Sequence, residues 1–527
     1  MQNSKALLYD KWILTIAALT TLSGLLIGCL TYNYVWFALP FGLMFLYVTV
    51  ADFKFIFYLL LFCLPISIEY SFTSSLGTDL PTEPLMLGLM LVFIAAWSAN
   101  KKLVAKEFLT HPLFFLLALH FLWTIVSVIY SSNHLVSVKI LLAKTWYIVV
   151  FVLLGSVVFR EVSDFKKAFW CIFIPMMLTI FYTLARHSQT GFSFASVNHP
   201  MEPFYRNHVN YAAFISQLVP LTWFAITWYK RDEASPLTPL RRRGEQPLPF
   251  ESQKKLKGKS LTRTFLIVSL LIMFVAVFLS YTRSSWLSVI AVIPAAYLIR
   301  QRLIGKAALV GALAVLTFVF YFGYQNRYLY YSPDFDETIM HENLEAHLSA
   351  TINMEDISSG ERVFRWIAGF RMWEANPIVG YGPGNFYNFY KPHAVSSFAT
   401  FVSRNPEKST VHNYFLLLLV EQGIVGLIIF SIFTGALLWY GQRIYHKLKD
   451  KQLRRFAMAL TLTLVAIYVN TFLSDLIETD KVGTVYFMVV AMLINLDIKA
   501  RKEIAAEIST TQNAVSPPVA GDPAGTV

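Results

Sequence analysis

Long, uninterrupted apolar runs dominate this chain and restrict it to folds that can sit in a lipid bilayer. Fourteen runs approach the roughly 20 residues that a membrane-spanning helix needs. They cover residues 12–30, 35–50, 55–68, 84–97, 112–130, 140–159, 168–185, 209–229, 266–281, 285–299, 307–324, 413–440, 456–473 and 482–494. Each run is continuously apolar rather than alternating, which predicts helices instead of a β-barrel. The predicted fold is an all-α, polytopic transmembrane helical bundle of about 12–14 spans.

The distribution of basic residues predicts how the bundle is oriented. Lysine and arginine collect in cytoplasmic loops. Basic residues cluster in alternate loops, at 101–106, 160–167, 241–259, 300–306 and 443–455. The loops at 31–34 and 69–83 contain none. We therefore expect both termini in the cytoplasm and the segment 325–411 outside. The net charge of +12 reflects this asymmetry, with anionic membrane lipids as counterparts, and requires no nucleic acid.

Three polar stretches divide the chain. A basic, proline-bearing stretch at 230–264 and the tail after residue 496 have too few apolar residues for a core, so we predict disorder in both. The third, 325–411, is rich in aromatic residues and contains a helical pattern at 360–375, which indicates an ordered cap. The resulting organisation is transmembrane helices at 1–229, a basic cytoplasmic loop at 230–264, transmembrane helices at 265–324, an outside cap at 325–411, transmembrane helices at 412–496 and a cytoplasmic tail at 497–527.

His412 is the best candidate for acid–base chemistry. It stands where the polar segment 325–411 meets an apolar run, and a helix N-terminus favours the neutral imidazole that a general base requires. A capping or buried structural role is the alternative. Glu421 lies too far along the same helix to orient the imidazole, and either pairs inside the bundle or marks an ion path. Asp475 and Asp480 are candidates to orient His412 or to bind an acceptor.

Arginines at the outer boundary suggest an anion site. Arg283 lies in a minimal polar break between two apolar runs, and Arg206 just precedes another run. Arginine binds phosphate through two parallel hydrogen bonds, so these positions fit a lipid diphosphate. A snorkelling anchor is the alternative for Arg283. Arg362 and Arg365 lie one turn apart on the predicted cap helix, where a solvated face is the alternative.

These residues resemble the bacterial O-antigen ligase family, within the wider group that includes O-antigen polymerases and protein O-oligosaccharyltransferases. The family pattern of His, then Asn, Ser or Gln, nine residues, Gly, two residues, then Gly, Thr or Tyr matches His412, Asn413, Gly423 and Gly426. The stretch 376–386 (NPIVGYGPGNF) and the break around Arg283 resemble the same group. The family commonly has about twelve spans, and the insert at 230–264 is not one of its features.

The resemblance implies a membrane glycosyltransferase that uses neither metal nor nucleotide and needs no cofactor. It would move a glycan from undecaprenyl diphosphate to a sugar hydroxyl of lipid A–core, on the periplasmic side of the bacterial inner membrane. His412 would deprotonate the acceptor, and the anomeric carbon would invert. The expected site residues are His412 as the catalytic base, Arg283, Arg206, Arg362 and Arg365 on the diphosphate, and Asn413, Gly382 and Gly384 in support.

Three rival functions remain open from the residues. An O-antigen polymerase would share the carrier and the arginines but use another acceptor. A protein O-oligosaccharyltransferase would use a protein acceptor. A lipid-linked glycan transporter, from a different functional class, fits the many spans and Glu421 but does not explain a large ordered cap. No Walker loop, no DxD pair in an outside loop and no Cys/His metal spacing occurs in the sequence.

Overall fold

The structure, a computed structural model, describes residues 51–71, 77–229, 250–325, 357–394 and 409–515, together with parts of 19–49. Fourteen helices within these ranges carry the architecture. They are α1 (Leu19–Thr31), α2 (Phe53–Cys63), α3 (Thr82–Ala99), α4 (Pro112–Ile129), α5 (His134–Val158), α6 (Val162–Ser188), α7 (His208–Trp228), α8 (Phe250–Leu279), α9 (Arg283–Arg300), α10 (Ile304–Gly323), α11 (Ile357–Ala375), α12 (Tyr414–Lys447), α13 (Lys451–Phe472) and α14 (Asp480–Val515).

The predicted all-α polytopic bundle is confirmed. Ten helices within the described ranges are long and apolar enough to cross a membrane, and α1 and the helical stretch Phe53–Ile66 are shorter apolar helices. The predicted run at 35–50 lies largely outside the described residues. The run at 285–299 corresponds to α9, which has 18 residues but begins and ends on arginine. A short antiparallel hairpin, β1 (Ile68–Ser71) with β2 (Gly77–Leu80), connects α2 to α3 and was not predicted.

Two late helices and one middle helix form the centre of the bundle. In α14, α13 and α7, respectively 89%, 78% and 72% of the apolar window is buried. Helix α13 packs against α7, α9 and α12, so it is the common wall of the bundle. By contrast, only 6% of the apolar window of α10 is buried. Helix α10 is therefore peripheral, and the residues brought together by α13 are the ones most firmly positioned.

Two predicted disordered stretches differ from the structure. Of the insert 230–264, residues 230–249 lie outside the described residues, whereas 250–264 form the first part of α8. Of the tail 497–527, helix α14 continues to Val515, and 516–527 lie outside the described residues. Residues 250–264 are rich in Lys, and residues 497–515 in Ala, Lys and Glu. These residue types have good helix propensity, so each segment extends the neighbouring apolar helix.

The segment 325–411 is partly described, at 325, 357–394 and 409–411. The helix predicted at 360–375 is confirmed as α11, and Asn376-Pro377 follows its end. Helix α11 packs on α12. The cap attaches to the end of the bundle at which α7, α9 and α12 begin. We call this end of the bundle the loop end.

Candidate functional site

Buried polar contacts join the starts of α7 and α9 to the far end of α13. The hydroxyl of Thr282 donates to the backbone carbonyl of His208 at 3.2 Å. The Ser285 hydroxyl donates to the Asn470 side-chain oxygen at 2.9 Å, and the Asn470 amide donates to Ser216 Oγ at 3.0 Å. The short polar break predicted at Arg283 is therefore fixed inside the protein rather than lying free at the membrane boundary.

Arg283 and Arg206 each lie within two residues, along the sequence, of one partner of the Thr282–His208 hydrogen bond. Arg283 is the first residue of α9, follows Thr282, and is partly buried. Arg206 is exposed and lies two residues before His208. Because Thr282 bonds to His208, the two arginines come from neighbouring helix starts. The structure thus brings together two helix starts that the sequence separates widely.

His412 is held in an unusual backbone conformation immediately before α12. Its φ is 53°, a left-handed value that costs a non-glycine residue about 1–2 kcal/mol. The next residue, Asn413, caps the helix by accepting from Leu416 N at 3.0 Å. Asn413 therefore fixes the start of the helix that follows His412, and its role in supporting a catalytic site stays a prediction. The imidazole lies just outside the helix, where the positive end of the helix dipole disfavours protonation.

The segment before His412 is tied to the same end of α13. Thr410 donates from its hydroxyl to the Asp475 carboxylate at 2.6 Å. Ser474, the neighbour of Asp475, donates to the Asn470 carbonyl at 2.7 Å, and Asn470 also accepts from Ser285 in α9. One chain of polar contacts therefore joins the break at Arg283 to the segment that carries His412.

The cap helix α11 brings two more arginines to His412. An added Cβ on Gly369 would lie 3.3 Å from side-chain atoms of both Val411 and Leu416, so α11 lies directly against the residues flanking His412. Burial, with the positive charges of Arg365 and Arg362 acting in the same direction, lowers the pKa of His412 to about 3. The imidazole is consequently neutral over the whole physiological range.

The solvated-face alternative is wrong for Arg365, because only 2% of this residue is exposed. The charge of Arg365 also acts on Asp475, where it opposes the burial that raises the pKa of that carboxyl. Arg362 is partly buried. Helix α11 therefore turns a guanidinium inward toward the His412–Asp475 region, which the helical periodicity alone does not reveal.

The glycine-rich turn predicted to support the site docks on a break in α12. Gly423 has φ 67° and ψ −173°, which interrupts the helix. Backbone hydrogen bonds then join the turn to the break, from Tyr381 N to Val420 O at 3.0 Å, from Gly382 N to Glu421 O at 2.9 Å and from Ile424 N to Pro377 O at 2.9 Å. An added Cβ on Gly423 would lie 2.0 Å from the carbonyl oxygen of Ile378. The glycine of the family pattern thus permits contact with the loop.

Gly382 and Gly384 are needed for equally close approaches. Both have positive φ, 89° and 80° respectively. An added Cβ on Gly382 would lie 2.3 Å from Ser131 Oγ, and one on Gly384 would lie 2.8 Å from Val136 Cγ1. These glycines let the turn lie against the start of α5. Their role in supporting a catalytic site stays a prediction.

Several residues that form contacts near His412 and Arg283 were not predicted from the sequence. Ser285, Asn470 and Thr410 are ordinary polar residues at helix ends, and nothing in the sequence pairs them. Glu478 accepts from the Tyr414 hydroxyl at 2.9 Å and lies 3.3 Å from Lys144 Nζ, beneath the start of α12. A buried lysine within an apolar run was the one available signal. Within the described ranges, no group of three or more His, Cys, Asp or Glu residues is placed to hold a metal ion.

Comparison with known families supports the resemblance. Residues 268–431 match the model of the O-antigen ligase family, close to the region of about 279–430 that carries the motifs. No curated protein matches the chain. The matched segment runs from within α8 into α12 and includes Arg283, the cap helix and His412, whereas Arg206 precedes it. Residues 268–431 of the chain match the O-antigen ligase domain, which supports membership of this family of membrane glycosyltransferases.

Proposed function

We propose that this protein is an O-antigen ligase. It transfers a glycan from undecaprenyl diphosphate to a sugar hydroxyl of lipid A–core, at the periplasmic face of the bacterial inner membrane. Both termini then lie in the cytoplasm, and the cap lies in the periplasm. The reaction needs no metal and no cofactor, because the leaving group is already a diphosphate and the protein supplies both a base and cationic partners.

The observation that carries the proposal is the position of His412 against the cap arginines. A partly buried imidazole with its pKa lowered to about 3, by burial and by Arg365 and Arg362, is unprotonated at neutral pH, so its ring nitrogen is open to the proton of an acceptor hydroxyl. The acceptor hydroxyl gives its proton to His412 while its oxygen forms a bond to the anomeric carbon. The bond between that carbon and the phosphate oxygen breaks, and its electron pair leaves with the diphosphate. Attack from the opposite face inverts the anomeric carbon.

The arginines account for the leaving group. Arg283 and Arg206 at the starts of α9 and α7, with Arg362 and Arg365 on α11, provide guanidinium groups for the diphosphate. Each guanidinium can donate two parallel hydrogen bonds to phosphate. Charge that develops on the departing diphosphate is stabilised most in a site from which water is excluded. The cap helix packs over this end of the bundle and limits hydrolysis of the donor.

A reconstituted transfer assay tests the proposal. Purified protein in detergent is incubated with a defined undecaprenyl diphosphate-linked glycan and with lipid A–core. We expect glycan-bearing lipid A–core as the product. Extension of the carrier-linked glycan indicates a polymerase, and glycosylation of an added protein indicates a protein O-oligosaccharyltransferase. If the protein transfers glycan to none of these acceptors, the enzyme proposal fails and transport becomes the better hypothesis.

A further inference from the structure

Glu421 is a buried carboxylate whose role is not explained by direct contact with the reacting groups. Only 7% of it is exposed. It lies nine residues beyond His412 in α12, about 13 Å along a helix at about 1.5 Å per residue. Its two oxygens accept from the backbone N–H groups of Gly384 at 2.8 Å and Phe386 at 3.1 Å. The carboxylate therefore binds the backbone of the glycine-rich turn from inside the bundle.

The turn is continuous with the cap helix and moves with it. In the last turn of α11, the Trp373 indole N–H donates at 3.2 Å to the carbonyl of Pro377, just beyond the end of the helix. Arg371 donates to the His393 carbonyl at 3.3 Å on the far side of the turn. The segment 371–393 therefore behaves as one unit with α11. The contacts that fix the turn on α12 therefore also fix the position of the arginines on α11.

The cap helix in turn meets the residues on either side of His412. Gly369 lies against Val411 and Leu416, and Arg365 lies one turn before Gly369. Among the described residues, Arg362 and Arg365 from α11 are the charges that act on His412. Asp475 and Glu478, from the connection between α13 and α14, accept hydrogen bonds from Thr410 and Tyr414, two residues to either side of His412. Only the two arginines belong to the cap. A displacement of the cap would therefore remove positive charge from the neighbourhood of His412.

We propose that Glu421 is a positioning residue: by holding the backbone of Gly384 and Phe386, it fixes the cap so that Arg362 and Arg365 face His412. Its relevance to glycan transfer rests on the proposed function. The arrangement gives the buried carboxylate a purpose other than ion conduction, since both of its oxygens are occupied by the turn. It also connects the conformation of α12 at Gly423 to the electrostatics of the site.

The test compares Glu421→Gln with a matched control, Gln422→Leu. The glutamine variant keeps the shape of the side chain but replaces one acceptor oxygen with a donor, which opposes one of the two N–H groups. Gln422 is the next residue; its side chain accepts from Thr124 at 3.3 Å and does not contact the turn. Ser137→Ala is a third variant, because Ser137 donates to the Pro383 carbonyl at 2.7 Å and anchors the turn from α5.

Two measurements on the full-length protein in detergent report on the proposal without requiring turnover. The first is amide hydrogen exchange of 376–394, which we expect to be faster in Glu421→Gln and unchanged in Gln422→Leu. The second is the pH dependence of His412 modification by diethyl pyrocarbonate, which reacts with the neutral imidazole and is located by mass spectrometry. We expect its midpoint to rise by about one pH unit in Glu421→Gln as the arginines move away.

The outcomes separate the two proposals. Unchanged exchange of 376–394 in Glu421→Gln, or faster exchange with an unchanged His412 midpoint, overturns the positioning role. If Glu421→Gln does not fold, Ser137→Ala must show the same two changes to a smaller degree, and no change there overturns it as well. If the wild-type protein transfers no glycan while both changes occur, the proposed function fails and the positioning role stands.

Discussion

Thr410 donates a 2.6 Å hydrogen bond to the carboxylate of Asp475. Thr410 lies two residues before His412, and the whole of α12 and α13 separates it from Asp475 in the sequence. The bond joins the last part of the cap segment to the connection that follows α13. Burial raises the pKa of Asp475, and the Thr410 hydroxyl and the charge of Arg365 act in the opposite direction. The left-handed backbone of His412 is therefore held on one side by the Thr410–Asp475 bond and on the other by the helix cap at Asn413.

Breaking this bond should impair transfer without removing any group from the reaction. Thr410→Val keeps the shape of the side chain, and Asp475→Asn weakens the acceptor. A hydrogen bond to a charged group contributes about 1.5–3 kcal/mol, so each variant should lower kcat by about tenfold or more. The double variant should be no worse than the more affected single variant, because both remove the same interaction. Additive losses in the kinetics would show that the two residues act separately.

Replacing His412 should remove the base and spare the binding of the donor. We expect His412→Ala to reduce kcat by about 100- to 10,000-fold, the usual contribution of a general base. The affinity for the lipid-linked donor should change little, because the arginines remain. Transfer kinetics and donor binding are measured on the same preparation. Normal turnover in His412→Ala would refute the assignment.

The pH profile of the wild-type enzyme should be flat on its acid side. Because burial and the neighbouring arginines lower the pKa of His412 to about 3, the imidazole stays neutral well below the ordinary value of about 6.5. Transfer should persist to the lowest pH at which the protein remains folded, and should fall only as pH approaches about 3. Rates measured from pH 4 to 8 test this. A loss of activity centred near 6.5 would mean that His412 titrates normally or is not the base.

Arg283→Lys should retain the charge and lose the paired hydrogen bonds. We expect about a ten- to hundredfold loss of kcat/KM, since each charge-assisted bond contributes about 1.5–3 kcal/mol. Arg300→Lys, at the exposed opposite end of the same helix, is the matched control and should behave as wild type. Equal rates for Arg283→Lys and Arg300→Lys would support an anchoring role for Arg283.

The break in α12 allows a paired test of two glycines. Gly423→Ala would place a Cβ 2.0 Å from the Ile378 carbonyl oxygen at a positive φ, and we expect a loss of roughly 3 kcal/mol or more in stability. Gly435→Ala, in the same helix with nothing within 4 Å of an added Cβ, should be neutral or slightly stabilising. Thermal unfolding in detergent distinguishes them. Similar behaviour of both variants would contradict the docking of the turn on α12.

Sequence reasoning was most successful where a local pattern has one physical meaning. The apolar runs predicted the helices of the bundle, and α11 follows from apolar residues at helical spacing ended by Asn376-Pro377. The glycine pattern around Gly423 marked a close approach but did not identify the partner. The partner of Gly423 is the cap turn at Ile378. A glycine in the sequence indicates that there is little space at that position, but it does not identify the neighbouring atoms.

Amino-acid order alone determined that this is an all-helical multi-pass protein, because the apolar content of each run is a local property. It also predicted an ordered cap, of which α11 and the turn that follows it are described. It also marked His412 and Arg283 as polar groups at costly positions. Tertiary structure alone decided that Arg365 turns inward, that Asp475 holds Thr410, and that Glu421 grips the turn at Gly384. Those contacts depend on which helix ends meet, and that depends on packing around α13, which no single segment encodes.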